Sequence, residues 1–345
     1  MNIDCPLPVD TEETIRLGHG SGGELSQKLF RDYIHPYIKN PWLDRLHDSA
    51  CLPFAGGRLA FTTDSFVVSP LFFPGGNIGE LAVYGTVNDL AMSGARPMYL
   101  SCSLVLEEGL PLKTLARVMA SMGRAAAQSG VQLVTGDTKV VERGKGDGLY
   151  INTAGVGVLE HERAIEPGAI CAGDRILLSG DIGRHGMAVM ASREGLAFDT
   201  PLQSDCAPLH GPVHDLLEAG IRVHCLRDLT RGGLATALVE LARARGASFV
   251  LQESAVPICA SVEGACELLG LDPFYVANEG RFVVFVAPED EPAALDILHR
   301  HTVSAASRTI GQVTAVGRPD VVLTNVLGCE RLLDLLPGEQ LPRIC

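Results

Sequence analysis

The chain ends on a thiol. Pro342-Arg343-Ile344-Cys345 closes a last stretch, residues 336–345, that holds two prolines and a glycine and so cannot continue a helix. Fully extended, such a segment reaches about 30 Å, far enough to carry its tip into a distant pocket. The sulfur of Cys345 would sit beside the terminal carboxylate, whose charge disfavours a thiolate, so reaction would require cationic surroundings. The residue is last, not fourth from the end, so prenylation is not the expectation at this position. On its chemistry alone it is also compatible with an incidental terminal residue.

Acids at the ends of predicted elements form a second group. Asp48 lies in His47-Asp48-Ser49-Ala50, and Asp64 interrupts a strand pattern that is otherwise apolar or Ser/Thr. Asn88-Asp89 stands among Ala, Val, Leu and Met; Asp137 follows Gly136 and precedes Thr138-Lys139; Asp228 opens Asp228-Leu229-Thr230-Arg231-Gly232-Gly233. A carboxylate in apolar surroundings requires donors or a cation. Oxygen ligands drawn from separate segments suit Mg²⁺ bridging nucleotide phosphates, although each Asp singly also reads as a cap or turn residue. Gly18-His19-Gly20-Ser21-Gly22-Gly23 precedes a helical stretch, and backbone N–H groups of such a loop suit a phosphate. It satisfies G-x-G-x-x-G, but no βαβ unit follows, and no G-x-x-x-x-G-K-[ST] exists. Lys139 and Glu279 both fall near predicted strand ends, where catalytic side chains gather, without any sign in the sequence that they meet. The pairs His210/His214 and His299/His301 lack a third ligand and read as surface histidines.

These residues must be held by elements that the periodicity outlines. In the first half, strands are expected over 58–68, 99–107, 131–135 and 149–159, with helices over 78–93 and 112–129, each closed by a glycine. After residue 160 the text becomes loop-like, and a fresh strand begins at Arg175. Helices follow over 186–194, 212–219, 234–245 and 261–269, and strands over 247–251, 282–287, 309–316 and 321–324. This predicts a mixed α/β (α+β) fold of two domains, 1–165 and 166–335, followed by a tail over 336–345. The net charge of −13, without any Lys/Arg run, argues against a nucleic-acid surface. The ten cysteines form no C-x-x-C pair, no apolar run approaches membrane-spanning length, and the acidic start lacks a signal core; a reducing cytoplasm is the expectation.

The motifs together resemble the HypE hydrogenase maturation factors, within the PurM-like superfamily that includes aminoimidazole ribonucleotide synthetase, selenophosphate synthetase and thiamine-monophosphate kinase. The resemblance is carried by the Pro342–Cys345 ending, Gly18–Gly23, Thr63-Asp64-Ser65, Phe72-Phe73-Pro74-Gly75-Gly76-Asn77-Ile78-Gly79, Asn88-Asp89, Gly136-Asp137-Thr138-Lys139-Val140-Val141, Thr230-Arg231-Gly232-Gly233 and Asn278-Glu279-Gly280. It implies a homodimer whose N-terminal domains build a central barrel, with ATP bound between domains. It further implies that a HypF carbamoyltransferase loads Cys345. ATP-dependent dehydration then leaves a thiocyanate, and a HypC–HypD complex accepts the cyanide for the iron of [NiFe] hydrogenase. Glu279 would be the base and Lys139 would stabilise charge on the amide oxygen. Gly20, Ser21, Gly22, Gly23, Asp64, Asn88, Asp89, Gly136, Asp137, Thr138 and Asp228 would bind nucleotide. The metal candidates are Asp48, Asp64, Asp89, Asp137 and Asp228. A selenophosphate synthetase would require a reactive Cys with a nearby Lys in an N-terminal loop, but the first Lys after Cys5 is Lys28.

Overall fold

The computed structural model describes residues 14–15, 29–40, 58–195, 202–335 and 344–345. Gly18–Gly23, Asp48 and most of the tail, residues 336–343, lie outside the described residues. Among the described residues the fold is a mixed α/β arrangement of two large sheets and a two-stranded hairpin.

The first sheet has the order β1-β6-β4-β5: β1 (Arg58–Phe66), β4 (Arg96–Glu107), β5 (Gln132–Val141) and β6 (Leu149–Leu159). A short hairpin of β2 (Phe72–Phe73) and β3 (Gly76–Asn77) follows β1. One face of the sheet is packed and the other open, as strict alternation requires. Ile151 and Thr153 of β6 are buried, whereas Phe61 of β1 is 71% exposed and Leu59 is 52% exposed.

On the packed face lies α1 (Ile78–Met92), apolar on nearly every side and accordingly buried all round. Its start is fixed by Asn77, whose Oδ1 accepts from Gly79 N (3.0 Å) and Glu80 N (3.3 Å), while its Nδ2 donates to Glu80. Its end is the expected glycine, Gly94, at φ +77°. α2 (Leu112–Gln128) packs beside it with Leu112, Leu115, Val118, Met119 and Met122 inward, the spacing read from the sequence.

The second sheet is seven-stranded, β13-β12-β9-β11-β7-β10-β8. Its members are β7 (Arg175–Leu178), β8 (Val223–Asp228), β9 (Ala247–Gln252), β10 (Phe282–Val286), β11 (Arg308–Val316), β12 (Val321–Thr324) and β13 (Glu330–Leu333). The pairings are antiparallel except β9–β12. β8, β13 and the hairpin were not anticipated. Helices α3 (Arg184–Glu194), α4 (His210–Glu218), α5 (Gly233–Arg245) and α6 (Ala260–Leu269) agree with the sequence reading within two residues, and α7 (Glu291–Leu298) was missed. α1 also packs against α4 and β8, so it is the shared wall between the two sheets. No helix among the described residues is long and apolar enough to cross a membrane.

Candidate functional site

Along this shared wall three of the acids read from the sequence, Asp64, Asp89 and Asp228, come together. Asp64 is on β1 opposite Thr153, on the packed face toward α1. Gly85 of α1 permits the approach: a Cβ there would lie 2.8 Å from the Phe66 ring and 3.8 Å from the Asp64 carboxylate. Asp89 sits one turn further along α1 and accepts from the Thr62 hydroxyl at 2.8 Å. Asp228 ends β8, paired with Phe282 at the start of β10. Asp89 and Asp228, with Thr62, Phe61, Leu90, Leu226, Arg227 and Leu241, line a cavity of about 590 Å³ beside the edge of β1.

Glu279 is 3% exposed, and its Oε1 has no hydrogen-bond partner. The backbone around it is tightly held. Asp205 Oδ2 accepts from Glu279 N (3.1 Å) and Gly280 N (2.8 Å), and a Cβ on Gly280 would lie 1.8 Å from the Asp205 carbonyl oxygen. Asn278 Oδ1 accepts from Gly183 N at 2.7 Å. Asn88 is a brace: its amide donates to the carbonyls of Ala207 and Glu279, and its Oδ1 accepts from Leu209 N.

The electrostatics follow from this crowding. Burial raises the pKa of Glu279 well above the usual carboxylate range, with Asp228, Asp205, Asp64 and Asp89 pushing the same way. Asp228 is pushed up to about 7 by burial, then by Asp89 and Asp64, against the pull of Arg227. Burial also raises Asp64, opposed by the Ser65 N–H and Arg231, and Asp89, opposed by the Thr62 hydroxyl. A group of like charges of this kind, containing an unsatisfied buried carboxyl oxygen, fits a divalent cation. Three of its donor atoms do not come within 4.8 Å of one another. The one trio that does, among the described residues, is Cys171, Asp174 and His224. There Asp174 Oδ2 already accepts from Cys171 N and His224 Nδ1, each at 2.8 Å, which accounts for the cluster as a loop clasp.

Two sequence candidates fall elsewhere. Lys139 and Asp137 pair with each other at 3.1 Å on β5, at the far edge of the sheet from β1. Lys139 is opposite Val105 and Asp137 opposite Ser103, positions on the open face, whereas Asp64 faces α1. Within one chain, therefore, Lys139 does not join Glu279, and Asp137 does not join the other acids. Strand alternation separates them, a consequence that spacing near a strand end could not reveal. Thr138, opposite Leu104, faces the packed side, and Gly136 lies so close to β4 that a Cβ would meet the Cys102 carbonyl oxygen at 2.2 Å. Neither histidine pair forms a metal cluster among the described residues: His299 bonds the Ser307 carbonyl and His301 bonds Asp215.

The terminus lies inside. Ile344 is 3% exposed within the core of the first sheet, and a terminal carboxylate oxygen of Cys345 accepts from Val67 N at 3.1 Å, one residue beyond β1. His185 Nε2 donates to the Ile344 carbonyl at 2.9 Å. Sequence reasoning missed His185, Ser204 and Asp205, which stand in no motif. A tail of apolar and charged character approaching a buried imidazole has no local signature.

The chain as a whole has counterparts among known proteins. The AIR synthase related N-terminal domain matches residues 46–159, and the corresponding C-terminal domain matches 172–324. The carbamoyl dehydratase HypE of Rhizobium leguminosarum bv. viciae is 48% identical over 332 residues, 96% of this chain and 95% of that relative. This chain belongs to the HypE family. A crystal structure of the family's hydrogenase maturation protein in complex with ATP is 47% identical, with a TM-score of 0.93, over 96% of this chain and 100% of that one. The HypE chain of a HypE–HypF complex matches at 41% identity and a TM-score of 0.79, over 91% of this chain and 100% of that one. The two-domain PurM-like fold implied by the motifs is thereby shown. Among the described residues the first sheet stays open within one chain, with β1 and β5 as its edge strands.

Proposed function

We propose that this chain is a carbamoyl dehydratase that consumes ATP to convert an S-carbamoyl group on its own Cys345 into a thiocyanate. The observation that carries this reading is the inward terminus: a terminal carboxylate oxygen of Cys345 accepts from Val67 N, three residues from Asp64. In the reaction Cys–S–C(=O)NH₂ loses its oxygen to phosphate and both nitrogen protons, leaving Cys–S–C≡N. ATP supplies the phosphoryl group that turns a very poor leaving group, the amide oxygen, into phosphate.

Glu279 is the proposed base. Burial raises its proton affinity above that of an ordinary carboxylate, with the neighbouring acids pushing the same way, so once ionised it is a stronger base than a carboxylate in water. Asp64, Asp89 and Asp228 are proposed to hold Mg²⁺, which would neutralise charge on the transferring phosphoryl group; Asn88, Arg227 and Arg231 would orient the site around it. Gly20–Gly23 remain candidates for phosphate contact and Asp48 for metal. Lys139 would stabilise charge on the amide oxygen, and Gly136, Asp137 and Thr138 would contact nucleotide, only across an interface with a second copy. The exposed Leu59 and Phe61 on the open sheet face support such a homodimer. We further assign residues 1–165 and 166–335 to the two domains and 336–345 to the C-terminal tail. A HypF-type carbamoyltransferase would be the donor and a HypC–HypD-type complex the acceptor, in the cytoplasm, where a thiol stays reduced.

The test is the intact mass of the protein after incubation with ATP, carbamoyl phosphate and the carbamoyltransferase. A gain matching cyanide in place of hydrogen at Cys345 is expected, and no change in Cys345→Ala. Glu279→Gln should stop at the carbamoyl adduct; thiocyanate formed on that variant would overturn the role given to Glu279.

A further inference from the structure

We propose that His185 is a positioning residue that seats the C-terminal tail by donating from Nε2 to the Ile344 carbonyl, with its tautomer set by Ser204. The inference rests on the proposed use of Cys345 as the group that is modified. The proton positions follow from donor and acceptor capacity. A carbonyl only accepts, so Nε2 carries the hydrogen at 2.9 Å from Ile344 O. A neutral imidazole then presents a bare Nδ1, which accepts from the Ser204 hydroxyl at 2.8 Å. Ser204 Oγ itself accepts from Cys206 N at 3.1 Å, so its hydrogen is free to point at His185.

The ring has no alternative seat. It is fully buried, and Phe73 packs edge-on against it with centroids 5.2 Å apart at 86°. Burial lowers its proton affinity, in keeping with the neutral form. The backbone of His185 donates to Asp205 Oδ1 at 3.0 Å, and the other oxygen of that carboxylate holds Glu279 N and Gly280 N. Residues 204–206 thus tie the tail seat and the Glu279 loop into one frame. A single carboxylate separates the group that grips the tail from the backbone of the proposed base. The grip is on main chain, so it reads the depth of insertion. Side-chain selection at the penultimate residue is left to the apolar pocket that buries Ile344.

The test is the rate at which iodoacetamide alkylates Cys345 in the full chain, followed by mass of the C-terminal peptide, with exposed Cys329 as internal reference. Loss of one hydrogen bond should raise Cys345 labelling in His185→Leu about three- to tenfold over wild type. His185→Gln, whose amide can place an N–H near the lost Nε2–H, should label within about twofold of wild type. Ser204→Ala, which keeps the ring but frees its tautomer, should give a smaller rise of about threefold and guards against a His185 variant that fails to fold. Equal Cys345 labelling in wild type, His185→Leu and Ser204→Ala overturns the proposal, as does Gln labelling as fast as Leu. Because the assay uses no ATP and no donor, tail seating is judged separately from the reaction. A labelling response in a protein that never gains a thiocyanate would sink the functional reading and leave the seat standing.

Discussion

Asp228→Asn isolates the cost of the acid cluster. In the folded chain the Asp228 carboxyl is pushed from 3.8 to about 7, chiefly by burial and then by Asp89 and Asp64. A shift of roughly three units at about 1.4 kcal/mol each sets a ceiling of about 4 kcal/mol. Screening through the solvent-accessible cavity lowers the operative figure to about 2–4 kcal/mol. The sign is that of a raised acid. Below pH about 4 both folded and unfolded chains hold the proton, and the native state incurs no loss. As pH rises toward 7 the unfolded chain releases the proton first, so stability falls, and the loss is complete once the folded carboxyl ionises. The amide of Asn has no such transition and keeps the β8 backbone pairing with Phe282. Urea unfolding in EDTA at pH 5, 6, 7 and 8 should show wild type losing stability across the series, and Asp228→Asn losing about 2 kcal/mol less or better. Glu279, Asp64 and Asp89 leave a residual slope in both proteins. Identical slopes for the two would refute the account of the cluster as electrostatically frustrated in the absence of a cation.

Gly280→Ala should destabilise the protein by about 3 kcal/mol in the same denaturation assay, because its Cβ would lie 1.8 Å from the Asp205 backbone oxygen, which cannot swing away. Thr153→Val should cost about 1–2 kcal/mol: the Thr153 hydroxyl donates to Ala82 O and contacts the Thr86 hydroxyl in a fully buried setting, and Thr86 would lose its neighbour. Phe61→Asp should weaken self-association at least about tenfold in sedimentation equilibrium without lowering the melting temperature of the isolated chain, since the ring is 71% exposed on the open sheet face. Unchanged association would exclude that face as the interface.

Much of this molecule is local and therefore legible in one dimension. The start of α1 at Asn77 and its stop at Gly94, the inward stripe of α2 and the alternation of β1 and β6 follow from capping chemistry and from periods of 3.6 and 2. Asp64 and Asp89 also stand out, because charge in apolar text is costly wherever it ends up, and Cys345 stands out as a thiol at the end of a non-helical tail. The elements that escaped notice lack such local marks. β8, Val223–Asp228, is an edge strand among the described residues whose apolar run is interrupted by His224 and Arg227, so Asp228 reads as a turn acid when it closes a strand. Sheet face and partner are properties of pairing. Lys139 and Glu279 each sit near a strand end, but register assigns Lys139 to the open face and burial gives Glu279 to the packed interior. The grip of His185 on Ile344 spans 159 residues of sequence. A contact of that separation is written in no window of the chain, and arises only when two cores, each assembled from short-range patterns, close against a common helix.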